Sequence, residues 1–431
     1  MTTTAQQRTV RDPRLDFFRG LAMFVIFIAH TPRDFWALWI PARFGFSDAT
    51  ETFVFCSGMA SAIAFGAIFH KRGWLMGTAR IIYRVWQVYW AHIGLFFAVL
   101  LLITSFDQAG IFTSEHWQRS YVGSLNLKHF FTKTPELIIG LFTLTYVPNY
   151  FDILPMYLVI LAMIPIVMGL SRISLWAVAA FVVGVWLTAN LELFGAEPLN
   201  FPAEPWSQRN WFFNPLGWQL IFFTGFAFMR GWIKPPPVEK KYIWLAIGII
   251  LISLPFAYFR IYNAKPSWFL YTELSPWFKE QRATIAPLRG KTEFGLFRYI
   301  HFLATAYLGW VAVGPLGSRL KNWGSAQIIV DTIRKVGQQS LAVFVSSLVI
   351  AQIVGMGFRM FGTHWANVLI GNLIGFAGLI AVAYSVAWFK SQPWRQQKVN
   401  APPVASEAAA STSTQSGSST IPMGVPARKI D

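Results

Sequence analysis

The sequence alternates long apolar runs with short polar segments. Ten runs carry few charges and are long enough to be candidate membrane spans: 15–31, 49–70, 80–104, 152–170, 174–192, 214–233, 242–260, 297–316, 339–358 and 366–389. A helix needs roughly 20 mostly apolar residues to cross the hydrocarbon core of a bilayer. The pattern predicts an all-α fold, a polytopic membrane bundle of about ten transmembrane helices. A shorter run at 135–147 ends before Pro148 and predicts an interfacial or re-entrant helix.

The two ends of the chain differ from the apolar region between them. We divide the chain into a cytoplasmic N-terminal segment (1–14), a transmembrane domain (15–392) and a tail (393–431) rich in Ala, Ser, Thr and Pro. That composition predicts a disordered, cytoplasmic tail. The first apolar run ends before Pro32 without a small-residue cleavage pattern, so we expect a retained helix and not a signal peptide.

Composition supports a membrane protein and excludes several functions. Of 431 residues 55% are hydrophobic and 13% charged, whereas a soluble domain carries about 25% charge. The net charge of +17 comes mostly from short loops beside apolar runs, which places both termini in the cytoplasm and does not indicate a nucleic-acid partner. Segment 261–296 is the exception, because it must lie outside yet carries five basic residues.

The single cysteine, Cys56, excludes an intramolecular disulfide and a Cys-based zinc site, and no metal is expected.

The first run contains two ionisable residues, Arg19 and His30. Such groups are costly at membrane depth and are therefore functional candidates. Their separation of eleven residues puts both side chains on one side of a helix, roughly 16 Å apart along its axis. One helix then carries a cation suited to an anionic ligand near one membrane surface and a titratable base much deeper.

Arg80 and Arg84 open the third run. A spacing of four residues puts them on one helix face at the cytoplasmic boundary. With Arg19 at similar depth, their guanidinium groups would form a clamp for phosphates. The alternative is that they anchor the helix by reaching lipid headgroups.

Asp48 and Glu51 open the second run, in the same outer half of the membrane as His30. A carboxylate beside a histidine would fix its tautomer and raise its basicity, as a general base requires. The alternative is that both acids only cap the N-terminus of a helix. In that run Gly58 most simply permits close packing of two helices.

Further polar residues gather at the outer ends of later runs, where a polar substrate would bind. They are Asp152, Gln219, Arg298 and His301. Asp152 also has the simpler interpretation of a helix N-cap before Pro155.

Several motifs resemble those of the membrane acyltransferase-3 superfamily. They are Leu15-Asp16-x-x-Arg19-Gly20, the pair Arg19 and His30 with ten residues between them, Ser57-Gly58, and Arg80-x-x-x-Arg84. Met59 departs from the aromatic residue that commonly follows this glycine. The stretches 46–58, 152–157, 214–219, 298–302 and 336–344 extend the resemblance to the OpgC family, which modifies osmoregulated periplasmic glucans.

The resemblance covers roughly residues 10–392 and implies a function. It implies ten spans in the inner membrane of a Gram-negative bacterium. It also implies transfer of a succinyl group from cytoplasmic succinyl-CoA to glucose hydroxyls of a periplasmic β-glucan. Succinyl-CoA is then a co-substrate, and no permanently bound cofactor is expected.

The charge layout suggests how a cytoplasmic donor would meet a periplasmic acceptor. Three arginines (Arg19, Arg80 and Arg84) would hold the CoA phosphates, and the pantetheine arm would reach inward to His30, the general base. Glu51 or Asp48 would orient His30. Asp152, Gln219 and His301 would bind the sugar, and Arg298 would meet the succinyl carboxylate.

Two other functions stay open from the sequence. One is an acetyltransferase acting on another envelope polysaccharide. The other is a proton-coupled transporter or flippase, since proton relays also use buried His, Arg and acidic residues. No inverted repeat and no matching pair of Gly/Pro-broken runs supports a transporter. The sequence leaves the oligomeric state open, a homo-oligomer included.

Overall fold

The computed structural model describes residues 12–110 and 121–395. These residues form α-helices joined by turns and short 3₁₀ helices, and within these two ranges there is no β-strand, only an isolated bridge between Pro202 and Asn210. By compactness the chain divides into Met1–Lys390 and Ser391–Asp431. The predicted tail at 393–431 lies, beyond its first three residues, outside the described residues.

The helices follow one another as α1 to α16. In order they are Pro13–His30, Ala49–Gln108, Tyr121–Ser124, Lys128–Thr132, Thr134–Thr143, Ile153–Leu170, Leu175–Ala189 and Pro215–Arg230 (α1 to α8). The second half comprises Lys240–Ala257, Phe259–Tyr262, Ser275–Thr284, Ala286–Arg289, Leu296–Val313, Gln327–Gln338, Ser340–Phe361 and Trp365–Ser391 (α9 to α16).

The all-α membrane fold predicted from the apolar runs is confirmed. Among the described residues, six helices are long and apolar enough to cross a membrane: α2, α6, α9, α13, α15 and α16. The remaining predicted spans correspond to α1, α7, α8 and the second half of α2. The number of ten spans stays a prediction. The short run at 135–147 is helix α5, which ends where Leu144 takes the left-handed conformation with φ of 60°.

Helix α2 contains both the second and the third predicted spans. Its backbone leaves the helical region at one residue, Gly73, with φ of 81° and ψ of 175°, a conformation that glycine adopts without steric cost. An added Cβ at Gly77 would lie 2.5 Å from the ring of Phe69, so the chain turns back on itself here. The loop predicted between the spans is therefore a single-residue break.

Several helices lie where the sequence predicted only loops. Helix α14 lies between the predicted spans 297–316 and 339–358. Helices α11 and α12 lie in the outer segment 261–296, and α10 crosses the boundary between that segment and the predicted span 242–260. Charged residues interrupt the apolar pattern of α14, which has twelve residues, so it does not resemble a span. It packs along α1, where Gln338 Nε2 donates to Asp16 Oδ2 at 3.3 Å. Helix α14 thereby places Ser340, the first residue of α15, next to Arg19 of α1.

Close contact between α2 and α8 closes the centre of the bundle. An added Cβ at Gly58 would lie 1.9 Å from the carbonyl oxygen of Phe222. No side chain fits between these two backbones, so Gly58 has the packing role expected for it.

We predict that Gly58→Ala lowers the stability of the protein by about 1–3 kcal/mol, because the added methyl group forces α2 and α8 apart. Thermal unfolding of the purified protein in detergent measures the change. Gly184→Ala in α7 is the matched control, since no atom lies within 4 Å of its added Cβ. Equal melting temperatures for the two variants would contradict this account of the interface.

Candidate active site

A cavity of about 780 Å³ lies at the end of α1 and the start of α2 and α6. We call it the His30 cavity. Loops complete its wall, around residues 149–152, 200–213 and 291–293. Its polar lining consists of His30, Asp48, Thr50, Asn149, Tyr150, Asp152, Asn200, Arg209, Asn210, Lys291, Thr292 and Glu293. A cavity of this size and polarity is typical of small-molecule sites.

His30 is the last residue of α1, and its own helix orients the ring. Its Nδ1 lies 2.8 Å from the carbonyl oxygen of Ile26. A carbonyl only accepts hydrogen bonds, so in the neutral ring Nδ1 carries the proton and Nε2 is the basic nitrogen. Tyr150 packs edge-on against the imidazole, with ring centroids 5.3 Å apart, and has an unusual φ of 74°.

Asp48 and Glu51 cap α2 and form two ion pairs. Thr50 N donates to Asp48 Oδ1 at 2.6 Å and Asp48 N donates to Glu51 Oε2 at 2.7 Å, which is a capping box. Lys291 Nζ reaches Asp48 Oδ2, and Arg298 Nη1 reaches Glu51 Oε1, both at 2.6 Å. The expected bond between His30 and one of these carboxylates is not present in the described structure. Asp48 pairs with Lys291 and Glu51 pairs with Arg298, and the Ile26 carbonyl orients His30 instead.

The charge on Asp48 is stabilised in place. Burial alone would raise the pKa of its carboxyl, but the cations of Lys291 and Arg298 outweigh burial and hold the pKa well below its ordinary value. Asp48 therefore stays ionised and keeps Lys291 at the wall of the cavity.

Of the four outer residues expected to bind the substrate, one lines the cavity. Asp152 accepts from Phe212 N at 3.1 Å through Oδ1, and burial raises its pKa to about 6. Gln219 is buried against α7, where its Nε2 donates to Val182 O at 2.7 Å. His301 packs behind the cavity, with Nδ1 2.7 Å from Ser47 Oγ. The direct substrate roles expected for Gln219, His301 and the paired Arg298 are thus not supported, since their helix faces turn away from the cavity.

A second, much smaller pocket lies beside α1, closer to the N-terminus of that helix. We call it the arginine pocket; it holds about 20 Å³, and its lining includes Arg19, Ser57, Arg84, Tyr157 and Ser340. Arg19 Nη2 donates to Ser340 Oγ, and Arg84 Nη1 donates to Gln87 Oε1 at 3.2 Å.

Arg80 does not join this pocket. It is exposed, and its guanidinium lies 5.4 Å from the ring centroid of Tyr83. The structure thus brings together two of the three arginines predicted to act as one clamp.

Only a thin apolar wall separates the two spaces. Ile153 lines both of them. Phe344 lines the His30 cavity and Phe53 lines the arginine pocket, and their rings stack with centroids 5.6 Å apart. Along α1, Arg19 and His30 are roughly 16 Å apart.

Of the twelve polar residues of the cavity wall, sequence reasoning found only His30, Asp48 and Asp152; those it missed include Tyr150, Arg209, Lys291 and Glu293. Lys291 had a usable signal, because it belongs to the outer segment whose basic residues contradict the usual charge distribution. Arg209 pairs with Glu204 at 3.0 Å and donates to Val147 O at 2.7 Å. Burial, and after it the nearby charge of Glu192, raise the pKa of Glu293 to about 7.

We predict that Arg298→Met destabilises the protein by about 3–5 kcal/mol, because it leaves the fully buried Glu51 without its cation. The double variant Glu51→Gln/Arg298→Met removes both charges and regains most of that loss. Thermal unfolding of the two single variants and the double variant gives the coupling energy. Additive losses would contradict a direct pair.

Comparison with known proteins gives one match. A family model described as OpgC protein matches residues 11–391. No curated protein and no solved structure matches the chain.

Proposed function

The chain belongs to the OpgC family, a family of glucan-modifying acyltransferases, and from this membership we propose that it transfers a succinyl group from succinyl-CoA to a glucose hydroxyl of a periplasmic glucan. It is a multi-pass membrane protein. In this proposal the donor approaches from the cytoplasm through the arginine pocket, and the acceptor enters the His30 cavity.

One observation carries the proposal: the two spaces share Ile153, and the stacked rings of Phe53 and Phe344 lie between them. The His30 cavity holds a base and many hydrogen-bonding groups, as a sugar acceptor requires. The arginine pocket holds two guanidinium groups, which suit phosphate oxygens. Both share Ile153, so a thin acyl-carrying arm needs to displace few side chains to connect them.

His30 is the proposed general base. Its Nε2 takes the proton of a glucosyl hydroxyl while the hydroxyl oxygen attacks the thioester carbonyl carbon. The new carbon–oxygen bond forms, the carbon–sulfur bond breaks, and the proton passes from His30 to the departing CoA sulfur. The hydrogen bond from Nδ1 to Ile26 O holds the ring during both proton transfers.

Asp48 and Glu51 support this chemistry without touching the base. The Asp48–Lys291 pair ties the start of α2 to the 291–293 wall of the His30 cavity, and the Glu51–Arg298 pair ties α2 to α13 behind that wall. We assign them a positioning role.

Replacing the base tests the chemistry. We predict that His30→Ala lowers succinyl transfer about 100- to 10,000-fold, the range that general base catalysis supplies, while CoA binding and the melting temperature stay close to wild type. Transfer of radiolabel from succinyl-CoA to a linear β-glucan by the purified protein is the measurement. His364→Ala, an exposed histidine outside both spaces, is the control. An active His30→Ala protein would contradict the assignment.

Two arginine variants test the donor site. We predict that Arg84→Gln raises the KM for succinyl-CoA about tenfold or more, because a charged hydrogen bond to phosphate is lost, and leaves the KM for glucan unchanged. Arg80→Gln, one helical turn away and outside the arginine pocket, should change the KM for succinyl-CoA less than about threefold. Steady-state kinetics with both substrates varied provides the comparison. Equal KM values for succinyl-CoA in Arg84→Gln and Arg80→Gln would contradict the placement of the donor site.

A further inference from the structure

The loop at 291–294 is held rigidly from behind. Four consecutive carbonyls accept four hydrogen bonds from α7, α8 and the residues that precede or follow them. Trp218 Nε1 donates to Lys291 O at 2.8 Å, Asn214 N to Thr292 O at 3.0 Å, Asn190 Nδ2 to Glu293 O at 2.9 Å, and Trp186 Nε1 to Phe294 O at 2.9 Å.

Packing reinforces these bonds. Phe294 is fully buried with a φ of 56°, a strained conformation for a bulky residue. Gly217 lies so close that an added Cβ would be 2.2 Å from the carbonyl oxygen of Glu293. Two indole donors and two asparagines thus fix a segment that has no regular secondary structure of its own. Such order costs conformational entropy, and it is typical of binding sites formed before the ligand arrives.

Three residues of this loop lie at the His30 cavity, whereas the fourth, Phe294, packs its ring against Trp218 inside the bundle. Lys291, Thr292 and Glu293 all line the cavity. The ammonium of Lys291 is engaged by Asp48. The Glu293 carboxyl accepts from its own backbone N–H and, in the part of the chain that the structure describes, has no hydrogen bond to another residue. Thr292 and Glu293 are therefore the side chains of this loop with capacity to bind a ligand, and the Glu293 carboxyl offers two acceptor oxygens.

The rest of the lining indicates which ligand fits. Asn149 and Asn210 supply amides that both donate and accept, whereas the amide of Asn200 is engaged by the backbone of Trp211 and Phe201. Phe212 and Phe213 supply apolar ring surface. Amides and a carboxyl interleaved with aromatic rings suit a polyol with an apolar face, such as a hexose. The two cations of the lining, Lys291 and Arg209, are each paired with a carboxylate of the protein.

We propose that loop 291–294 is the acceptor subsite, in which Glu293 accepts hydrogen bonds from hydroxyls of the glucosyl unit that reacts at His30. This inference rests on the proposed function for the reaction, but glucan binding tests it without any donor. The ring hydroxyls engage the carboxyl, and the loop bonds keep that carboxyl in place beside the base.

The first measurement is equilibrium binding of a linear β-glucan oligosaccharide to the full chain in detergent, without succinyl-CoA. The assay is run at about pH 8.5, where the Glu293 carboxyl is ionised although its pKa is raised to about 7. Under that condition Glu293→Gln should weaken binding about tenfold or more, because a charged acceptor is lost, and Glu293→Ala should weaken it at least as much. Glu192→Gln is the matched control, an exposed glutamate outside the cavity that acts on Glu293 only through its charge. Melting temperatures equal to wild type establish that the variants fold.

The second measurement separates acceptor from donor. With both substrates varied, Glu293→Gln should raise the KM for glucan and leave unchanged both the KM for succinyl-CoA and the slow hydrolysis of succinyl-CoA by water. Unchanged glucan binding in Glu293→Gln overturns the subsite, and so does a change confined to the KM for succinyl-CoA. A wild-type protein that binds glucan but transfers no succinyl group would refute the proposed reaction and leave the subsite standing.

Discussion

The two ion pairs at the start of α2, Asp48–Lys291 and Glu51–Arg298, are the interactions on which the outer half of the structure depends. Charges inside a bundle are costly unless opposite charges and hydrogen bonds compensate them. Here each acid also accepts a backbone N–H of the capping box, so both carboxylates are fully engaged. The pairs join α2 to α13 and to the loop before it, and the start of α2 and that loop line the His30 cavity.

With that frame fixed, the remaining polar groups are available for ligands. His30 takes its orientation from the Ile26 carbonyl and does not depend on an acid, so its Nε2 is the basic nitrogen in the neutral ring. The 291–294 loop carries Glu293 on a backbone whose carbonyls are all satisfied. Further along α1, Arg19 and Arg84 line a small pocket beyond Ile153. One helix, α1, thus links the proposed site of proton transfer to the proposed site of anion binding.

The sequence predicted what depends on local composition and missed what depends on packing. The apolar runs predicted the helices because about 20 apolar residues have few alternatives in a bilayer, and the spacing from Arg19 to His30 follows from helix geometry. Helix α14 was missed because its charges interrupt the apolar period. Gln219 and Arg298 were placed at the correct level but on faces that turn toward other helices. No local pattern reveals that Lys291 pairs with Asp48, a residue 243 positions away.

The central claim is that the acyl group passes through the protein, from the arginine pocket to the His30 cavity. Proteoliposomes with the protein in one orientation test it, with radiolabelled succinyl-CoA on one side and β-glucan trapped on the other. The account predicts labelled glucan when the donor is on the side of Arg84 and the acceptor on the side of His30, and none with the two exchanged. Transfer that requires donor and acceptor on the same side of the membrane would contradict it.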